Sequence, residues 1–455
     1  MRLPRLFNRA TATAPKRRSF DTATGGRRAS GFRAYGSHGP ETLAASGPVR
    51  QRARQAFANN AYVRNAVGAI VAETVGAGIE ANSAHPDPDI RARIDALFLN
   101  AAHEIDAEGR TDLRGLTAQI VDAVAVDGES FVLLEDHPEG ARARLIPAEL
   151  VDETLTRDLA NGGYIVAGIE FNAAGQRIAY HILPHRPTDL YAMATTPVRI
   201  PATDVLHVFK PLGPGQVRGV SWLAPILLTL NELDQLQDAL LVGAKVSAMH
   251  AGFLTNQSDL GPEFDPRDLA DASLEPGAIR VLPGGYDIKF NAPTEARDSV
   301  AFARMTLGQI AAGLGVPRHL VDGDLSDANY SSLRAGLLPF RAKVEQFTYH
   351  VLIPQFLDPV FRRAITRAYL SGDLDAPDLA PALKAEWLPP RPMQVDPQKD
   401  VTALGDMLDR GLTSRRQAVA SLGWNVATLD EEIAADRARE SALGLSFTTP
   451  ETSDE

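Results

Sequence analysis

The sequence predicts an α+β protein in which long helices outnumber and flank short strands. Three observations predict it. Apolar residues recur at three- and four-residue spacing over 61–126, 222–249, 295–312 and 330–370, the period of a helix with one buried face. Between 127 and 211 the pattern changes to short β-branched runs broken by turn residues. A β-like insert, 251–293, then separates two helical segments, the sequence form of a helical hairpin with a β tip. A length of 455 residues allows two or three domains and a sizeable core.

The chain starts with a basic arm. Residues 1–64 hold 13 Lys/Arg against two acids, Asp21 and Glu41, so a net charge of -11 for the whole chain implies a strongly acidic remainder. The arm, 1–60, is expected to lack fixed structure except for a short helix over Val49–Asn59. It has no apolar stretch of the kind a secretory signal needs. Its Arg, Ser and Thr content resembles a transit peptide but is equally that of a solvated tail, the reading preferred here. No segment approaches the roughly 18 uncharged apolar residues of a membrane span, so no membrane partner is expected.

Val63, Val67, Ile70 and Val71 form the first stripe, ended by Gly76 and Gly78. Helices follow over Pro88–Ala102 and Leu113–Val126. His103 and Glu104 are adjacent and face different ways, which makes them a poor metal pair. Strands fit Ser130–Leu134 and Ala143–Ile146. A hairpin of Tyr164–Phe171 and Gln176–Leu183 fits around Asn172-Ala-Ala-Gly175. Asp204–Phe209 is a further strand, with His207 read as a packed core histidine. His181 and His185 lack the convergent ligands of a zinc site.

The turn Gly213–Gly219 lies between a strand and a helix, as a dinucleotide loop would. Its spacing is G-x-G-x-x-x-G, Pro214 stiffens it, and no acid follows at the required distance. The helix Trp222–Met249 would be about 42 Å long. Leu223, Ile226, Leu227, Leu230, Leu233, Leu236, Leu240 and Leu241 stripe it, with Glu232, Asp234 and Asp238 off the stripe. Strand-like Ala278–Leu282 and Tyr286–Phe290 precede a second helix, Glu295–Ala312. The loop 318–330 carries Asp322, Asp324 and Asp327 but lacks the sixth-position Gly and twelfth-position Glu of a calcium loop. Ser326 or Asp327 is expected to cap the next helix, Tyr330 to about Leu370, which Pro339 and Pro354 should kink or break. A strand over Lys384–Leu388 leads to short helices: Val401–Asp409, Ser414–Leu422 capped by Thr413 and closed by Gly423, and Leu429–Arg439. Ser446–Glu455 is an acidic tail expected to lack fixed structure.

The chain has no Cys, no G-x-S-x-G elbow, no H-E-x-x-H and no G-x-x-x-x-G-K-[ST]. No catalytic, cofactor or metal residues are therefore assigned, and no enzyme is expected. Two alternatives stay open: a nucleotide-binding enzyme using the Gly213–Gly219 loop, and a scaffold or adaptor that forms no ring.

Several stretches together resemble one family. Gly215-Gln-Val-Arg-Gly-Val-Ser-Trp-Leu-Ala-Pro225, Ala311-Ala-Gly-Leu-Gly-Val-Pro317 and Asn329-Tyr-Ser-Ser-Leu-Arg-Ala335 are similar to the lambda-type portal proteins of tailed phages. The hairpin at Gly168–Asn172 and Ala179-Tyr180, and Val395-Asp-Pro-Gln-Lys399, match in the same order. The resemblance implies a portal-protein fold with a mixed α/β wing, a long-helix stem, a small β-containing clip and an α-helical crown. It implies wing at 61–218, stem helices at 219–250 and 294–317, clip at 251–293 and tunnel loop at 318–330. A long kinked helix with the return to the wing would occupy 331–398, and the crown 399–445. It further implies a homo-oligomeric ring of twelve at one capsid vertex. Double-stranded DNA would pass through its channel. The terminase large subunit, major capsid and scaffold proteins, and a head-completion or tail adaptor would be its partners. On this reading Asp322, Asp324, Ser326, Asp327 and Asn329 belong to the tunnel loop. Glu232, Asp234 and Asp238 face the channel or an adjoining subunit. Leu230, Leu233 and Leu240 pack a subunit or hairpin seam. An acidic body suits a channel for sliding DNA, because each basic phosphate contact would add affinity and resist movement.

Overall fold

A computed structural model describes residues 35–185, 196–248, 252–256, 286–290, 296–326, 329–390 and 397–445. In chain order, α1 (His38–Asn59), α2 (Ala61–Val75), β1 (Glu80–Ser83), α3 (Pro88–His103) and α4 (Leu113–Val126) lead to the strand-rich part. That part holds β2 (Ser130–His137), β3 (Gly140–Ile146), β4 (Arg157–Asp158), β5 (Tyr164–Val166), β6 (Ile169–Phe171), β7 (Arg177–Ile182), β8 (Val198–Pro201) and β9 (Val205–Val208). Next come α5 (Leu227–Ala248), β10 (Gly252–Asn256), β11 (Tyr286–Phe290), α6 (Ala296–Leu314), α7 (His319–Asp322) and α8 (Tyr330–Phe347). A π-helical segment, Thr348–Leu357, runs into α9 (Asp358–Ser371). The chain closes with α10 (Leu379–Ala382), β12 (Ala385–Leu388), α11 (Pro397–Asp409), α12 (Arg415–Ser421) and α13 (Val426–Leu443).

The sheets are small and antiparallel. β2 is the centre of a three-stranded sheet between β3 and β9, and β4 to β8 form a five-stranded sheet in sequence order. The main core joins α2, α4, α3, β2 and α9 to the bases of α5 and α6 through Val67, Ile120, Phe98, Phe361, Leu233 and Ile310. A second core, with Phe131, Ile169 and Tyr180, fills the space between the two sheets.

The α2, α3 and α4 helices fall where the apolar period placed them, because their buried faces are apolar at helical spacing. Four other expectations are corrected. The basic arm is structured from His38: α1 is a packed helix of 22 residues, not an unstructured tail with a short helix at 49–59. The strand expected over Tyr164–Phe171 is two strands. Ala167 and Gly168 both have positive φ, the geometry of a tight hairpin turn, and fold β6 back on β5. The projecting helix starts at Leu227, after Pro225, and not at Trp222. The helix beyond Tyr330 is continuous, so of the kink or break expected at Pro339 and Pro354 the break does not occur: Pro339 lies inside α8 and Pro354 inside the π-helical segment. A proline deletes one N–H from the ladder, and the wider turn of a π-helix is one way a helix accommodates it.

The β tip is represented by β10 paired with β11, so the strand expected at Tyr286–Phe290 forms. The strand expected at Ala278–Leu282, residues 1–34, Asp327 and the acidic tail 446–455 lie outside the described residues. β12 forms within the expected Lys384–Leu388 and pairs with β1.

Candidate functional site

The Gly213–Gly219 turn is the junction from which the helical hairpin leaves the body, and its structure decides between the readings left open for it. Arg218 and Glu129 are both completely buried. The Arg218 guanidinium donates to Glu129 through Nη2 at 2.7 Å and Nε at 2.9 Å. It also donates to the backbone oxygens of Ala148 at 2.9 Å and Ala167 at 3.0 Å. One side chain thus ties the start of β2 to the loop before β4 and to the β5–β6 turn. Arg50 of α1 reaches the same centre, 3.3 Å from Glu129 and 2.6 Å from Glu153. Burial alone would raise the Glu129 pKa, but the charge of Arg218 and the hydrogen bond from His207 outweigh it and hold the carboxyl well below its usual range. Burial likewise opposes the charge on Arg218, and Glu129 more than restores it. Arg54, one turn after Arg50, forks onto Asp127 at 2.7 Å through both oxygens and reaches Glu149 at 2.8 Å.

Gly213 and Gly219, at the two ends of this turn, serve close packing, while Gly215 has positive φ and open space beside it. A Cβ on Gly219 would lie 2.1 Å from the backbone oxygen of Gly128, and one on Gly128, at φ +93°, would lie 2.2 Å from the backbone of Val220. A Cβ on Gly213 would strike the His38 ring at 2.3 Å. Both ends of the turn are filled by the protein itself, which argues against a phosphate cradle formed by its glycines. Neither is it a loose hinge: it is clamped from three sides.

His207 sits beside this centre, stacked on Phe131 at 4.2 Å and Phe209 at 4.5 Å. Its Nε2 lies 3.0 Å from Glu129, and the ionised carboxylate can only accept, so Nε2 carries the proton. Nδ1 is buried without a partner among the described residues. Burial pushes this imidazole down to about 4, against the pull of Glu129. A folded pKa below the ordinary 6.5 means that the unfolded chain takes up a proton first as pH falls. The resulting stability is complete above pH 6.5 and is lost toward pH 4, where Glu129 begins to add to the loss. Lowering the pH from 7 to 5 is expected to cost about 2 kcal/mol through His207. Urea titrations at the two pH values should show it, and His207→Gln, which keeps a donor to Glu129, should flatten that interval.

The hairpin itself has two zones. At its base Leu230 is 3% and Leu233 1% exposed, packed in the main core with Leu307 and Ile310 of α6. Both therefore pack within one chain. Leu240 is half-buried. Beyond it, Leu241, Val242, Val300, Phe302 and Met305 are all more than half exposed. Of the three acids, Asp234 accepts from Asn60 at 2.9 Å and so points at the α1–α2 junction of its own chain. Glu232 and Asp238 are exposed.

The acidic loop is closed on itself. Arg318 lies 3.2 Å from Asp322 and 3.3 Å from Asp324, and Arg304 of α6 lies 3.1 Å from Asp324. Ser326 donates to Asp324 through Oγ at 2.6 Å and through its backbone, and these bonds, with the two arginines, hold the Asp324 carboxyl low. Its acids are thus partly neutralised before any partner approaches. The cap of α8 is Asn329, not Ser326: its Oδ1 accepts from the Ser332 N–H at 2.8 Å, and Ser332 Oγ accepts from the Asn329 N–H at 2.9 Å. Asn329→Ala should destabilise by about 1 kcal/mol, read from the shift in the urea midpoint. In the C-terminal cluster the cap is Ser414, not Thr413, in a box with Gln417.

Among the described residues no group of three His, Asp or Glu is arranged to hold a metal ion, and no helix is long and apolar enough to cross a membrane. The sequence reading missed Arg218, Glu129 and Arg50. The two arginines stand in the short stretches GQVRG and PVRQR, whose charge was the one signal of them.

Known proteins converge on one family. A probable portal protein of Halomonas phage phiHAP-1 is 26% identical over 424 residues, which is 87% of this chain and 81% of that one. The portal protein of Escherichia phage N15 is 24% identical over 311 residues, 60% of this chain and 58% of that one. Portal protein B of Escherichia phage lambda is 24% identical over 271 residues, 51% of this chain and 49% of that one. Among solved structures, the neck of a native gene transfer agent particle computed with C12 symmetry has 16% identity and a TM-score of 0.45, covering 85% of this chain and 94% of that one. An HK97 family phage portal protein from Corynebacterium diphtheriae has 13% identity and a TM-score of 0.32, covering 79% and 96%. The model of the phage portal protein, lambda family, matches residues 25–347, well over half of the sequence, and the chain belongs to that family.

Proposed function

We propose that this chain forms a ring at one vertex of a phage capsid, a channel through which double-stranded DNA enters during packaging and leaves during ejection. The family supports the reading, and so do the relatives named portal protein. The observation that carries it is the two-zone hairpin. Its base is sealed into the body of one chain, while Leu241, Val242, Val300, Phe302 and Met305 present apolar surface that the described residues leave uncovered. Equivalent hairpins of neighbouring copies, arranged about an axis, would cover such a strip.

In this reading α5 and α6 are the stem, β10 and β11 belong to the clip, and the strand-rich part with α2 to α4 is the wing. Residues 318–330 are the tunnel loop and α11 to α13 the crown. The twelvefold count, the terminase large subunit, the capsid and scaffold proteins, and the head-completion or tail adaptor belong to the same proposal. Glu232 and Asp238 are the stem acids left to face the channel or a neighbour, and Asp322, Asp324, Ser326 and Asn329 lie in the loop nearest the axis. Negative-stain electron microscopy of the purified protein tests the ring. Closed particles with a central hole are expected, and a species that stays monomeric at every concentration and in co-expression with capsid protein would count against it.

A further inference from the structure

The C-terminal helices α11 to α13 are held to the rest of the chain differently from every helix before them. None of their described residues belongs to either hydrophobic core. α12 buries Ala418 and Val419, and α13 buries none of its 18 residues. Their bonds to the body are polar. Asn425, the cap of α13, donates through Nδ2 to Asn82 Oδ1 at 2.7 Å, and Arg416 of α12 lies 3.0 Å from Glu386. Asn82 and Glu386 are partners across the β1–β12 pair, so the two bonds stand side by side on one narrow platform. A third bond, Arg334 of α8 to Asp400 at 3.2 Å, holds α11. Exposed ion pairs of this kind hold weakly and are screened by salt. Between these helices and the body is a cavity of about 1050 Å³. Leu337, Leu388 and Pro390, each half-buried, line its body side, and Trp424 and Leu429 line its outer side. Trp424 is 51% exposed although apolar side chains stand across the cavity from it.

We propose that α12 and α13 form a lid on this cavity, pinned at the β1–β12 platform and poised to close. In the closed position Trp424 and Leu429 move onto Leu337, Leu388 and Pro390, and the apolar surface on both sides is removed from water. No core contact has to be broken for this, because the lid makes none. The pins sit at the start of α13, which runs about 27 Å from there to Leu443, so a modest rotation at the pins becomes a large displacement at the far end. The lid is therefore an equilibrium between two positions, one stabilised by solvated polar bonds and one by apolar burial. Every group named lies within one chain, so the inference stands or falls apart from the ring.

The chain has no cysteine, so Ala342→Cys on α8 and Ala435→Cys on α13, both exposed positions, accept a pair of spin labels on the full-length protein. Diluting the labelled protein into excess unlabelled protein keeps the measured separation within one chain. Double electron–electron resonance is expected to resolve two separations, the shorter being the closed lid. Trp424→Ala should reduce the shorter population about tenfold, since closure then buries far less apolar surface, and leave the longer one in place. Asn82→Ala with Arg416→Gln frees both pins while keeping the cap residue of α13, and should broaden both separations. Circular dichroism reports whether the helices persist in each variant. A single separation that Trp424→Ala leaves unchanged would overturn the lid. So would a shorter population that survives Trp424→Ala undiminished, or a second separation that appears together with a loss of helical signal, which is fraying.

Discussion

Arg218→Ala is expected to cost the protein about 3–5 kcal/mol, the usual effect of removing one side of a buried ion pair. The loss goes beyond one contact. Glu129 would be left fully buried, with His207 and Arg50 as its remaining side-chain partners, and the backbone oxygens of Ala148 and Ala167 would lose their donor. Arg218→Lys should recover little, because one ammonium cannot fork onto a carboxylate and reach two carbonyls on separate loops. Replacing both partners, Arg218→Met with Glu129→Leu, should restore part of the loss by removing the unpaired charge. Urea denaturation followed by tryptophan fluorescence measures all three. A cost below about 1 kcal/mol for Arg218→Ala would show that the cluster is not what joins the two sheets.

The second large effect separates assembly from folding. Phe302→Asp combined with Leu241→Asp places charge on the exposed zone of the hairpin and is expected to abolish rings while the monomer keeps its urea midpoint. Leu233→Asp, eight residues before Leu241 on the same stripe, buries a carboxylate in the main core and should cost more than about 4 kcal/mol. Sedimentation velocity and electron microscopy read the first variant, and circular dichroism the second. Intact rings from the Phe302/Leu241 variant would refute the assignment of that strip to a subunit seam. The leucine repeat alone could not make this distinction, since the apolar period runs unchanged from Leu223 to Leu241 while the environment changes from core to surface.

What was legible in the sequence follows from where the free energy of each element lies. The α2 and α4 helices bury Val, Ile and Leu, and the period of those residues is a local signal. The α1 helix buries Gly39, Thr42, Ser46, Arg50, Ala53 and Ala56. That stripe has helical spacing too, but its residues are small or charged, so a search for apolar periodicity passes over it. Its stability comes from ion pairs with Glu129, Asp127, Glu149 and Glu153, all more than 70 residues away in sequence. β1 is four residues long, and its partner lies 300 residues later, so nothing near Glu80–Ser83 announces it. Of the candidate site residues, the stripe and the acidic loop were visible as composition. Which carboxylates are already satisfied depends on Arg304, Arg318 and Asn60, whose approach only the fold supplies.

The passage from α8 through the π-helical segment to α9 has a mechanical consequence. One unbroken helix of 42 residues begins at Tyr330, beside the acidic loop, and ends at Ser371. At about 1.5 Å per residue it is roughly 60 Å of strut. Phe340, Phe347, Phe356 and Phe361 fasten it to the core along its length. A push on the loop end is therefore borne as compression along the helix and shared among anchors spread through the body. The wider π turn at Thr348–Leu357 is a compliant place on that load path, so bending under load would concentrate there.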